Sequence, residues 1–186
     1  MSIRNEHASI LWRLRVFRGE RSGTAALEFS FILPVMLTIY LGGIELGDGF
    51  AITVKVSETA HIVADLATQY VSIDNSDMSN ILGAASSIIA PYSASNITVT
   101  VSELTTDASG NATVTWSDSL NGTARPVGQA ITLPSSLNTP NISLIFGEVS
   151  YQYAPQLGYT LTGTITLSDK YYLYPRLSNS VTRVNS

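Results

Sequence analysis

A single carboxylate inside an apolar run is the side chain of this sequence whose chemistry most needs a reason. From Thr24 to Ile44, Glu28 is the one residue that carries a charge at neutral pH. A charge near the centre of a lipid-buried helix costs roughly 2.5–3.5 kcal/mol, and less near an end, so Glu28 calls for compensation. One source is the positive end of its own helix, worth about 0.3–1 kcal/mol. A capping box would add to that, but Ser22 and Thr24 are followed three residues on by Ala25 and Leu27, which puts the glutamate out of register. The other source is a cation on a second chain, in lipid where an ion pair is little screened. Catalysis finds no comparable foothold. The chain has no cysteine and two histidines, His7 and His61, far apart in sequence. Nucleophile elbows, phosphate-cradling glycine loops and His-Glu-x-x-His are absent, and the acidic residues are too scattered to suggest a working carboxylate pair. The expectation is a protein that is not an enzyme and that uses neither cofactor nor metal.

The elements around Glu28 follow from composition. Of 186 residues, 45% are hydrophobic and 13% are charged, against a usual charged share of about 25%. Five of the ten Lys and Arg (Arg4, Arg13, Arg15, Arg18, Arg21) and two of the fourteen acidic residues precede Gly23, so a head of +3 is joined to a body of −7. The acidic body excludes nucleic acid as a partner, and the basic head points to a membrane. Residues 24–44 form one bilayer's worth of helix, about 31 Å against a hydrocarbon core of about 30 Å. Pro34 lies inside this run, where neighbouring groups in a membrane helix can tolerate it. With arginines on the N-terminal side alone, the positive-inside rule places the head in the cytoplasm and the body outside it. A cleaved secretory signal is the competing reading. It is disfavoured by the length of the apolar run and by Glu45 and Asp48, which stand where signal peptidase requires small neutral residues.

Past Gly49 the residues Ile52, Val56, Ala60, Val63, Ala67 and Tyr70 recur every three to four positions, which predicts that the helix continues as an amphipathic extension packed on a sheet. Lys55, Glu58 and Asp65 fall off that stripe and read as its solvated face, and His61 reads as packed or exposed rather than as a ligand. Ser76 is the expected N-cap of a second helix over Asp77 to Ala90, with Met78, Ile81, Leu82 and Ala85 on its apolar face and Pro91 ending it. From Asn96 the period becomes two. Ile97, Val99 and Val101, then Val114 and Trp116, predict a hairpin around Asp107–Asn111. The stretch 121–141, with three prolines, predicts a surface-wrapping loop, followed by strands at 144–153, 161–167 and 171–174. The fold class is α+β: a long N-terminal helix, a second short helix, and an antiparallel sheet of about five strands. Five tyrosines (Tyr151, Tyr153, Tyr171, Tyr172, Tyr174) fall on the strands, either as packing or as a partner surface. Asn-x-Ser/Thr matches at Asn96, Asn111, Asn121 and Asn141 are compositional.

The run Gly23-Thr24-Ala25-Ala26-Leu27-Glu28-Phe29, with its basic leader, resembles a prepilin peptidase site. With Leu33-Pro34 and Ile44-Glu45-Leu46-Gly47 it resembles, more narrowly, the TadE-like family, minor pseudopilins of the tight-adherence (Flp) pilus system. Leu27, Ser30 and Asp48 depart from the usual family residues, and the stretch from Leu167 to Arg176 resembles the terminal strand of such proteins. The resemblance implies a pilin-like plan in four parts: a cytoplasmic leader at 1–23, a transmembrane helix at 24–48, an amphipathic spine at 49–72 and a periplasmic domain at 73–186. It further implies cleavage between Gly23 and Thr24, with Glu28 and the following Phe29 carrying subunit registration through the new amine of a neighbouring chain. The implied partners are prepilin peptidase, other pilins and pseudopilins, the inner-membrane assembly machinery and the lipid bilayer. The implied location is the bacterial inner membrane in a single pass, with incorporation into the pilus as a further outcome. The alternative is an unprocessed single-pass protein whose periplasmic domain binds or adheres.

Overall fold

A computed structural model describes residues 22–156 and 163–184. Among these, helix α1 runs Ser22–Thr68, strand β1 is Ser72–Ile73 and helix α2 is Asn75–Ile88. Strands β2 (Ile97–Thr106), β3 (Ala112–Leu120), β4 (Ala130–Ile131), β5 (Ser143–Tyr153), β6 (Ile165–Leu173) and β7 (Thr182–Arg183) follow. The chain divides into two compact units, one ending at Ile44 and the other beginning at Glu45. The second unit holds an antiparallel sheet in the order β4-β3-β2-β5-β6, and β1 and β7 pair separately and in parallel. The α+β class with a long apolar helix, a short second helix and five strands is the one the hydrophobic periods predict.

Within the second unit, α1 buries Ile52, Val56, Ala60, Val63, Ala64 and Ala67 against the sheet. The same core takes Met78, Ile81, Leu82 and Ala85 from α2 and Val99, Val101, Trp116, Ile145 and Val149 from the strands. The close approach of α1 rests on small residues. A Cβ on Gly147 of β5 would lie 2.8 Å from the Ala60 carbonyl oxygen and 2.9 Å from the Ala64 methyl. Two residues assigned to solvent have structural partners instead. The Lys55 ammonium donates to the Ile88 carbonyl at 2.8 Å, which satisfies the C-terminal end of α2, and Asp65 is paired with Arg176.

A second, smaller core lies on the other side of the sheet, where Leu104, Val114, Leu144 and Phe146 are covered by Leu133 and Leu137 of the stretch 121–141 and by Ile142 just before β5. The strand pattern conceals it. Between Glu103↔Trp116 and Leu104↔Val114 the register shifts by one residue on β3, leaving Thr115 extra. Trp116 therefore belongs to the inner core and Val114 to the outer one, although they stand two apart. The loop predicted over 121–141 also contains β4, which pairs with β3. The expected strands at 161–167 and 171–174 are one strand, β6, paired with β5 along its whole length from Ile165↔Tyr153 to Leu173↔Ile145; residues 161 and 162 lie outside the described segments.

The N-cap of α2 is Asp74 rather than Ser76. Its carboxylate accepts from the Asp77 N–H at 2.8 Å, the Asp77 carboxylate accepts from the Asp74 N–H at 3.3 Å, and the Ser76 hydroxyl donates to Asp74 at 2.8 Å. This reciprocal box starts the helix at Asn75, two residues earlier than Ser76 capping predicts, and the helix ends at Ile88. The Asp77 N–H, together with Ser76, holds the Asp74 carboxyl below the usual carboxylate range. The Asn111 side chain and N–H do the same for Asp107 in the β2–β3 hairpin. A folded-state pKa below the unfolded one contributes stability above the unfolded value of about 4 and loses it as the pH falls through the folded value. Asp74→Ala should thus lower the melting temperature at pH 7, and the gap from wild type should close as both proteins are melted at successively lower pH below about 4.

Candidate functional site: the N-terminal half of helix α1

Gly23, Thr24, Glu28 and Phe29 all fall in the first turns of α1 and are exposed. The Gly23–Thr24 bond lies at the start of the described part of α1. A side chain at Gly23 would meet nothing within 4 Å, so glycine there answers no packing need of the described chain. Thr24 and Glu28 stand four residues apart and so share one helix face. The basic head at residues 1–21 lies outside the described residues.

The described surface that follows Glu28 along the helix is largely apolar. Leu27, Phe29, Phe31, Ile32, Val35, Met36, Ile39 and Tyr40 are each more than half exposed, which water would not tolerate over so long a run. Polar side chains within the run are turned to the helix's own backbone, the Ser30 hydroxyl donating to the Ala26 carbonyl at 2.7 Å and that of Thr38 to the Pro34 carbonyl at 2.8 Å. Helix α1 contains a stretch long and apolar enough to cross a bilayer. Among the described residues Glu28 has neither a hydrogen-bond nor an ion-pair partner. The four sequence-predicted residues thus fall on two adjoining turns, and the described residues supply no cation for the carboxylate.

The remaining sequence candidates disperse. Tyr151 is buried and meets Tyr92 edge to face, whereas Tyr172 stacks on Phe146 with ring centres 4.5 Å apart. Tyr171 lies against His61, edge to face at 5.2 Å, with its hydroxyl 3.2 Å from that of Ser57. The Tyr153 hydroxyl donates to the Glu45 carbonyl at 3.1 Å. Burial, then the nearby Glu45 and Asp48, raises the Tyr153 pKa; burial and Glu148 raise that of Tyr172. Tyr174 alone of the five is more than half exposed. Packing therefore accounts for most of the cluster, and it does not form one patch. On the sheet, a groove of about 700 Å³ lined by Thr98, Thr100, Glu148 and Lys170 has its Arg125 guanidinium committed to Glu148 in a two-pronged pair, 2.5 and 2.7 Å.

One polar group escaped sequence reasoning altogether. Glu103 is 2% exposed in a strand of Val, Leu and Thr, and accepts from the Ser143 hydroxyl at 2.6 Å and the Val181 N–H at 2.7 Å. Its sequence signal was a charged residue on the inward-facing parity of β2, in line with Val99 and Val101.

Residues 23–65 match the family described as TadE-like protein. No curated protein and no solved structure matches the chain. The matched residues contain the whole candidate site and the first part of the stripe that packs on the sheet.

Proposed function

We propose that this chain is a minor pseudopilin of a tight-adherence pilus system, in which the TadE-like segment is both processing signal and assembly element. The observation that carries the reading is an exposed carboxylate, with no cation beside it among the described residues, near the start of the described part of a bilayer-length apolar helix. Buried in lipid, such a group costs free energy that a cation from another chain would recover. Cleavage after Gly23 by prepilin peptidase would create one, the α-amine of Thr24. Within its own chain that amine lies four residues from Glu28; on a neighbour it offers the registration contact between subunits, with Phe29 packing alongside. The arginine-rich head would orient insertion with the leader in the cytoplasm and the α+β body in the periplasm. Other pilins and the inner-membrane assembly machinery are the partners such a body would meet, at the membrane or in the fibre.

Two measurements test this reading. N-terminal sequencing of the membrane-resident protein is expected to begin at Thr24, and Gly23→Leu is expected to keep the leader attached; an intact Met1 start in wild type would leave an unprocessed anchored domain as the reading. Glu28→Ala is expected to be cleaved normally yet lost from assembled pili, with the share of piliated cells falling at least tenfold, the equivalent of a coupling of about 1.4 kcal/mol. Normal piliation by Glu28→Ala would show that this carboxylate is not the registration contact.

A further inference from the structure

Two rows of side chains cross the face of the sheet that points away from α1. Thr98, Ser150 and Ser168 stand side by side on β2, β5 and β6, and the next row along holds Thr100, Glu148 and Lys170. Together they floor the groove of about 700 Å³. The row beyond, with Phe146 and Tyr172, belongs to the smaller core, so the groove is the part of this face that the core leaves open. Its wall is the stretch 123–129, which is held firmly. The Arg125 N–H donates to the Ser117 hydroxyl at 3.0 Å, its guanidinium grips Glu148, and the Gly128 N–H donates to the Val114 carbonyl at 2.8 Å. The groove is therefore preformed, and a ligand entering it has no loop to order.

Several polar groups in this groove are unspent. Of the five cations after Gly23, Lys55 serves the end of α2, Arg125 holds Glu148, Arg176 is paired with Asp65 and Arg183 with Asp118. Lys170 alone has no partner for its ammonium among the described residues. It stands opposite Glu148 across the β5–β6 pair, but both oxygens of that carboxylate are taken by Arg125. The Ser150 and Ser168 hydroxyls and the Gln129 side-chain amide likewise have no hydrogen-bond partner among the described residues. A free ammonium on a body of net negative charge selects an anion. Main-chain recognition is not what this floor offers. Strands β2 and β5 are bonded on both sides, so a peptide lying over them meets side chains and no free ladder groups. The offer is hydroxyl, amide and ammonium, with Ala124 and Pro126 as an apolar flank. A sugar ring presents the complement, hydroxyls around its rim and C–H groups on its faces.

We propose that this groove binds an acidic saccharide, a chain of uronic-acid type whose carboxylate is held by Lys170 and whose ring hydroxyls bond to Ser150, Ser168 and Gln129. The Arg125–Glu148 pair fixes the wall against which the ring lies. The reading depends neither on processing at Gly23 nor on assembly into a fibre.

Full-length protein in an uncharged, sugar-free detergent is titrated calorimetrically with a short oligogalacturonate, a neutral maltooligosaccharide and an oligoglutamate. Saturable binding of the oligogalacturonate is expected, with the other two at least about tenfold weaker. Lys170 is exposed, and Lys170→Gln is expected to weaken binding about tenfold or more through the loss of one charge-assisted hydrogen bond. The double variant Ser150→Ala/Ser168→Ala removes no charge and is expected to weaken it about three- to tenfold. Arg176→Gln removes the same charge outside the groove and should leave the affinity as it is. Oligoglutamate bound as tightly as oligogalacturonate overturns the saccharide, and maltooligosaccharide bound as tightly overturns the anion. The site itself is overturned if oligogalacturonate shows no saturable binding, or if Lys170→Gln binds it as wild type does or no worse than Arg176→Gln.

Discussion

Glu103→Ala is expected to unfasten the C-terminal tail and to cost the body about 2–4 kcal/mol, a fall in melting temperature of roughly 10 °C for a domain of this size. Truncation removes the acceptor for two donors, the Val181 N–H and the Ser143 hydroxyl, in a region where the carboxylate is 2% exposed and water does not readily replace it. Each orphaned donor costs about 1–3 kcal/mol, and the serine hydroxyl, free to rotate, is at the lower end. Once Val181 loosens, the Trp116 N–H loses its acceptor as well, and Arg183 must leave Asp118. Glu103→Gln separates this account from a mere volume effect. Its amide oxygen can accept both bonds, so its loss should stay within about 1 kcal/mol. Amide hydrogen exchange gives a local readout: the protection of Val181, Thr182 and Val184 should collapse in Glu103→Ala before global unfolding does, while that of Val99 and Val149 in the sheet is retained. Equal loss of protection across tail and sheet would show that Glu103 serves general packing rather than tail capture.

What could be read from the sequence divides along the range of the interactions. Periodic apolar residues announced α1, α2 and the five-stranded sheet, because burial of one face needs nothing beyond the local chain direction. The packing face of α1 was legible for the same reason. Misreadings arose where one polar contact outweighed the pattern. Ser76 looked like a cap, but Asp74 and Asp77 cap each other and take the Ser76 hydroxyl into their box. Lys55 looked solvated, yet it serves the last carbonyls of a helix 33 residues further on. Thr115 hides a bulge that sends Val114 and Trp116 to opposite cores, and period-two reading has no means of detecting an extra residue. The β1–β7 pair is two residues long and joins segments about 110 residues apart, so neither partner carries a strand signal of its own. For the candidate site the situation is reversed. Gly23, Thr24, Glu28 and Phe29 are consecutive or nearly so on one helix, so their arrangement was implicit in their spacing. The partner of Glu28 was not, since nothing in the described chain provides it.

The other large effect is expected at Gly147, where the sheet and α1 come closest. Gly147→Ala should destabilise the body by about 1–3 kcal/mol, and Gly147→Val should do so by more. In β5 this glycine lies between Val101 of β2 and Tyr171 of β6, so its strand is held from both sides and cannot retreat within the sheet. The new methyl would meet the Ala60 carbonyl oxygen at 2.8 Å and the Ala64 methyl at 2.9 Å. The first of these is backbone in mid-helix, unable to turn away, and relief requires lifting α1 from a core that includes Val56, Val63 and Ile145. A double variant discriminates between the two contacts. Ala64→Gly removes the methyl but leaves the carbonyl, so Gly147→Ala/Ala64→Gly should recover little, and the glycine introduced into the helix adds a cost of its own, about 1 kcal/mol. Gly83, exposed in the middle of α2 with nothing within 4 Å of a Cβ, is the matched control: Gly83→Ala should stabilise by about 0.5–1 kcal/mol. Denaturation of the full chain in detergent, followed by near-ultraviolet circular dichroism, compares all four variants. A Gly147→Ala protein as stable as wild type would mean that α1 does not ride on Gly147, and that the small residues of its inner stripe have some other purpose.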